Sequence, residues 1–278
     1  MILELEGDTG EGGTGEGGTV HAATGGVEPA GIDPVVLLVH GAGMDSTVWQ
    51  LQTRYLAHHG YRAIAVDLPG HGRTDGEALT TIGDMADWTG HYVDSLSEAL
   101  DDVAPVHVVG HSMGTFIGLE LASRRPELVS SLVLLGTANV MPVHPDLLAA
   151  AERDLPAAAA LMTSWGHDRP AHVGLNPTPG LWMLGGARAL VEMSSPGALS
   201  ADFEACAAYD GAIGAASSVR CPVTVVVGAG DKMTPPRAAA KLIAELTDPT
   251  VIELAETGHM MMTENPAAIR RLLVAALR

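Results

Sequence analysis

Cysteine is nearly absent from this chain of 278 residues. The two that occur, Cys206 and Cys221, form neither a Cys-x-x-Cys pair nor a disulfide framework, so buried reduced thiols in a cytoplasmic protein are expected. Basic residues are scarce as well. Fifteen Lys and Arg face 33 Asp and Glu, a net charge of −18 with neutral histidines, and the first arginine is Arg54. Such a field repels phosphate backbones and anionic lipid, which excludes nucleic acid and membrane surfaces as partners. No apolar run approaches the roughly 18 residues of a membrane span; the run from Val35 to Val39 stops at His40. The N-terminus reads Met-Ile-Leu-Glu, without the basic and apolar regions of an export signal. No internal repeat is present, and no His, Cys or Asp cluster has metal-site spacing, so no metal is expected.

What the chain has in quantity is apolar residues, 47% of the total against 17% charged, enough for a large core. Its length suits one α/β domain carrying an insertion. From Pro34 onward, short Val/Leu/Ile runs alternate with helical patterns. Strands are expected at 35–39, 62–67, 106–109, 128–135, 223–227 and 250–254, and helices at 47–58, 82–100, 113–125, 236–246 and 266–277. Near-continuous apolar strands between helices argue for a mostly parallel sheet covered on both faces. The Gly-rich, acidic first 33 residues contain two strand-like pieces, 2–6 and 18–24, read as an antiparallel hairpin at the sheet edge, with a loose tail as the alternative. Residues 137–219 contain no strand pattern but show helical pieces at 146–162, 181–192 and 201–209. That is too long for a loop and reads as an inserted helical cap, leaving 1–136 and 220–278 as the core.

Chemistry is signalled first by Gly110-His111-Ser112-Met113-Gly114, a G-x-S-x-G run between an expected strand and an expected helix. A sharp strand-to-helix turn holds the central residue in a strained conformation, and the flanking glycines let backbones approach closely. Ser112 is then presented at the carboxyl edge of the sheet and at a helix N-terminus. A serine hydroxyl needs a base that is held by an acid. Asp231, in Gly228-Ala229-Gly230-Asp231, and His259, in Gly258-His259, each follow an expected strand, in the chain order Ser, Asp, His. An acid just after 128–135 has no candidate, because Gly136-Thr137-Ala138-Asn139 lacks a carboxylate.

Together with His40-Gly41-Ala42-Gly43, Asp67-Leu68-Pro69-Gly70-His71-Gly72 and Cys221-Pro222, these motifs resemble the α/β-hydrolase fold family over nearly the whole chain. The resemblance implies an eight-stranded, mostly parallel sheet. It also implies Ser112 as nucleophile, His259 as general base and then acid, and Asp231 as the carboxylate orienting the imidazole. The backbone N–H groups of Ala42 and Met113 would form the oxyanion hole. The resemblance further implies a cofactor-free serine hydrolase of esterase or lactonase type. A serine at the elbow argues against haloalkane dehalogenase and epoxide hydrolase relatives, which use aspartate there. A slowly turning ligand receptor, a haloperoxidase or perhydrolase, and a carbon–carbon bond hydrolase share the same trio and stay open.

Gly41-Ala42-Gly43-Met44-Asp45-Ser46 imitates a dinucleotide fingerprint, with Asp67 ending the next strand, but Ser46 replaces the third glycine. No nicotinamide binding is expected. Met44, Met113 and Met260 are candidates for an apolar pocket, with Trp165, Trp182 and Met183 as lid contacts. Met261 and Met262 are assigned to the core. Asp202 and Asp210, in the cap, are expected to be solvated, and His40, His71 and His111 structural. The cap carries three arginines against eight carboxylates, which suits a small neutral, apolar ester better than a polyanion. The substrate itself and the oligomeric state are not legible.

Overall fold

The computed structural model describes residues 2–5, 18–26, 34–100, 105–175, 177–178 and 180–277. Eight strands form one sheet: β1 (Ile2–Leu5), β2 (Gly18–Ala23), β3 (Val35–Val39), β4 (Arg62–Val66), β5 (Val106–His111), β6 (Val129–Leu135), β7 (Val223–Gly228) and β8 (Thr250–Leu254), in the order β1-β2-β4-β3-β5-β6-β7-β8. The β1–β2 and β2–β4 pairs are antiparallel and every other pair is parallel. The expected turn and linker residues 6–17 and 27–33 lie outside the described residues.

The side-chain period of two explains why the central strands read as continuous apolar runs. In β3, Val35, Leu37 and Val39 enter one hydrophobic core, while Val36 and Leu38 enter the core on the opposite face. All five are buried because helices cover both sides. No helix among the described residues is long and apolar enough to cross a membrane.

Between β6 and β7 the chain forms helices at Pro145–Arg153, Leu155–Gly166, Arg169–His172, Met183–Glu192, Ala198–Ala208 and Ala212–Ser218, and no described strand. The helix expected at 146–162 is two helices. Pro156 has no N–H to continue the first, and the Asp154 side chain accepts from Ala157 N–H to start the second. The last helix, Ala212–Ser218, packs on the helix Met113–Arg124 beside the sheet.

Candidate active site

The elbow is built by close approach. β5 runs straight into the helix Met113–Arg124, and Ser112 between them has φ +52° and ψ −118°. A non-glycine residue held there costs about 1–3 kcal/mol, which its surroundings must impose. They do so through the glycines. A Cβ on Gly110 would overlap the Gly114 carbonyl, and one on Gly114 would collide with the Val39 and His40 carbonyls. Gly41, in the loop after β3, lies against the same turn: a Cβ there would stand 3.1 Å from Ser112 Cβ. The Ala42 backbone is thereby brought beside the elbow.

His259 and Asp231 meet across the ends of β8 and β7. Their Nδ1 and Oδ2 atoms are 2.8 Å apart, with side chains 2% and 0% exposed. The carboxylate is fixed from its other side. Its Oδ1 accepts from the backbone N–H groups of Met233 and Thr234, each at 2.8 Å, and Thr234 Oγ1 lies 2.8 Å from Oδ2. Burial works against the charge, but the His259 contact and the Thr234 hydrogen bonds outweigh it and hold Asp231 at about 2. The imidazole lies over Gly136, where φ is +67° and a Cβ would come within 3.1 Å of the ring. A side chain at the end of β6 would displace the ring.

Ser112 and His259 line one cavity of about 30 Å³ with Ala42, Met44, Met260, Met162, Thr163, His167 and Met233. Ala187, Leu190, Val191 and Phe203 complete the wall. Of the residues expected at an apolar pocket, Met44 and Met260 line this cavity and the others do not. The Met113 side chain is fully buried in the core, so only its backbone faces the elbow. Trp165 packs edge-on against His144, Trp182 is 77% exposed, and Met183 is buried beside it in a separate surface depression. The reason is helix phase. The face of Leu155–Gly166 that reaches the cavity carries Met162 and Thr163, and that of Met183–Glu192 carries Ala187, Leu190 and Val191.

Asp202 overturns an expectation. Far from being solvated, it is fully buried: its Oδ2 accepts from Gly43 N–H at 2.8 Å and lies 2.9 Å from His71 Nε2. His71 Nδ1 lies 2.9 Å from the Pro69 carbonyl. Both ring nitrogens face acceptors, so His71 is an imidazolium. Burial pulls its pKa down, but the Asp202 hydrogen bond and charge outweigh that and raise it. Neighbouring His40, desolvated and repelled by His71, is held near 4; it stays neutral, accepting from Leu68 N–H and donating to the Gly41 carbonyl. Asp67, the second carboxylate facing His71, turns its oxygens onto Ser46 N–H, Arg73 N–H and His21. That inward anchoring accounts for the residue that imitated a ribose-binding aspartate.

This pair has a pH signature. His71's folded pKa is raised, so its contribution to stability is complete below about 6.5, the unfolded value, and is lost as pH rises through the folded value. Urea unfolding of the parent and Asp202→Asn is expected to show a stability difference that shrinks with rising pH. A difference independent of pH from 5.5 to 9 would contradict the imidazolium assignment.

Two further contacts escaped the sequence reading. His111 Nε2 lies 3.0 Å from the His259 carbonyl, and burial holds His111 near 3, so the neutral ring donates to the backbone of His259. The Gly166 carbonyl accepts from both His259 N–H, at 2.9 Å, and Met260 N–H, at 3.0 Å, while Glu264 accepts from Asp168 N–H at 2.8 Å. Neither was legible, because each joins segments remote in the chain. The Asp231-x-x-Thr234 spacing, an Asx-turn pattern, was available as a signal for Thr234. Among the described residues no group of three His, Cys, Asp or Glu could hold a metal ion.

Comparison with known proteins follows the same line. The pimeloyl-(acyl-carrier protein) methyl ester esterase of Aromatoleum aromaticum is 33% identical over 249 residues, 84% of this chain and 94% of that protein. The enol-lactonase of Burkholderia xenovorans superposes with a TM-score of 0.80 at 22% identity, covering 94% of this chain and 96% of that one. A bromoperoxidase of Bacillus anthracis gives 0.81 at 15% identity over 100% and 99% of the two chains, a likeness of fold alone. A sequence model of the alpha/beta hydrolase family matches residues 36–272, and the chain belongs to that family.

Proposed function

We propose that this protein is a serine hydrolase cleaving a small, mostly apolar carboxylic ester or lactone through an acyl-enzyme on Ser112. The observation that carries the reading is the buried His259–Asp231 pair, 2.8 Å apart, whose imidazole lines the same apolar cavity as the strained Ser112. In this reading His259 Nδ1–H points at the Asp231 carboxylate, leaving Nε2 as the base. Ser112 Oγ attacks the carbonyl carbon while its proton passes to Nε2. The Ala42 and Met113 N–H groups receive the developing oxyanion; a donor of this kind typically contributes ~10²–10³ in rate, because it is fixed before the charge appears. Collapse of the tetrahedral intermediate breaks the bond to the leaving alcohol, which takes the proton from His259. Water, deprotonated by the same imidazole, then attacks the acyl-enzyme and releases the acid. The methyl ester esterase relative, a match along most of the chain, supports ester cleavage. The cavity volume supports a short acyl group.

A fluorophosphonate probe is expected to label Ser112 and no other residue, and p-nitrophenyl acetate to release a burst of about one equivalent of nitrophenolate. Labelling that persists after Ser112 is replaced, or goes to another residue, would refute the assignment.

A further inference from the structure

Among the described residues, the cavity wall is apolar apart from Ser112, His259 and one further place. His167 is fully buried and lines the cavity. Its Nδ1 lies 3.0 Å from the Thr163 carbonyl one helical turn back, so Nδ1 carries the proton and Nε2 presents a bare lone pair. Among the described residues that Nε2 has no partner, and the buried Thr163 Oγ1, on the same wall, has none either. Desolvation, reinforced by the charges of His172 and His259, holds His167 near 4, so the ring stays neutral and does not attract an anion. Buried polar atoms are almost always satisfied, and two left open on the wall of the cavity that Ser112 also lines mark where a ligand completes the set.

We infer that His167 Nε2 and Thr163 Oγ1 form a hydroxyl-binding subsite, and that the substrate is an ester or lactone bearing a hydroxyl near its scissile carbonyl. A hydroxyl fits both atoms: its proton goes to the Nε2 lone pair, and its oxygen accepts from the threonine O–H. A carboxylate would set its lone pairs against that of Nε2, and a methyl group would leave both atoms open. This inference rests on the hydrolase reading for the word substrate, but the subsite itself does not.

The test uses two matched pairs in which methyl replaces hydroxyl: methyl 3-hydroxybutyrate against methyl 3-methylbutyrate, and 2-hydroxyethyl acetate against propyl acetate. Acid release gives kcat/KM for each. In the pair whose hydroxyl reaches the subsite, the hydroxyl-to-methyl ratio is expected to fall about tenfold or more in both His167→Phe and Thr163→Val, whatever happens to the absolute rates. Independently, in Ser112→Ala protein the ¹⁵N resonance of His167 Nε2 is expected to move upfield with the hydroxyl ester of that pair and to stay put with its methyl partner. A ratio unmoved by both variants in both pairs overturns the inference, as does a resonance that fails to tell hydroxyl from methyl. Failure of the catalytic reading looks different: hydrolysis would not depend on Ser112, while the His167 resonance would still answer to the hydroxyl.

Discussion

Replacing Ser112 by alanine is expected to lower kcat/KM for p-nitrophenyl acetate and butyrate by about 10³-fold or more. The size follows from the position: Ser112 stands at the strand–helix turn, whereas Thr163, the other hydroxyl lining the cavity among the described residues, belongs to the helix Leu155–Gly166. The fold should survive. Oγ accepts no capping hydrogen bond at the start of its helix, and the turn is held by Gly110 and Gly114 rather than by the hydroxyl. An unchanged unfolding transition beside the lost activity separates chemistry from structure. Activity within a few-fold of the parent would end the nucleophile assignment.

The second large effect is expected from Asp231→Asn, a loss of about 10³–10⁴ at neutral pH. The backbone N–H groups of Met233 and Thr234 both point at Oδ1, so the asparagine oxygen settles there and its NH₂ takes the Oδ2 position, 2.8 Å from His259 Nδ1. A donor now faces Nδ1. The imidazole proton is driven to Nε2, and the nitrogen that should take the serine proton is already occupied. The ¹⁵N spectrum of His259 should show the tautomer reversed. A variant that keeps the parent tautomer and parent activity would show that Asp231 does not orient the base. Acid acts on the same group by a different route. The folded Asp231 pKa lies below its ordinary value, so its contribution to stability holds above about 3.8 and disappears only as pH falls through about 2.

The elements that could be read from the sequence are those whose causes are local. Five consecutive apolar residues at 35–39 mark a strand buried on both faces, and the order of Gly110, Ser112, Asp231 and His259 along strand ends marks one rim of the sheet. The cap resisted for the opposite reason. In a helix packed on other helices, which residue faces inward depends on rotation about the axis, and a shift of two or three positions separates Met162 and Thr163, on the cavity, from Trp165, which is not. Asp202 was beyond reach on similar grounds. Nothing near it in the chain announces a partner, and His71 and Gly43 lie 131 and 159 residues away. A buried carboxylate is intelligible only once its imidazolium is in view.

The two hydrogen bonds that the Gly166 carbonyl accepts have a mechanical consequence. They fasten the roof of the chamber to the main chain of His259, while Asp202 and Ser194 fasten the far side of that roof to Gly43, whose carbonyl the Ser194 hydroxyl meets at 2.9 Å. A displacement of either segment is therefore transmitted to the loop that carries Ala42 or to the one that carries His259.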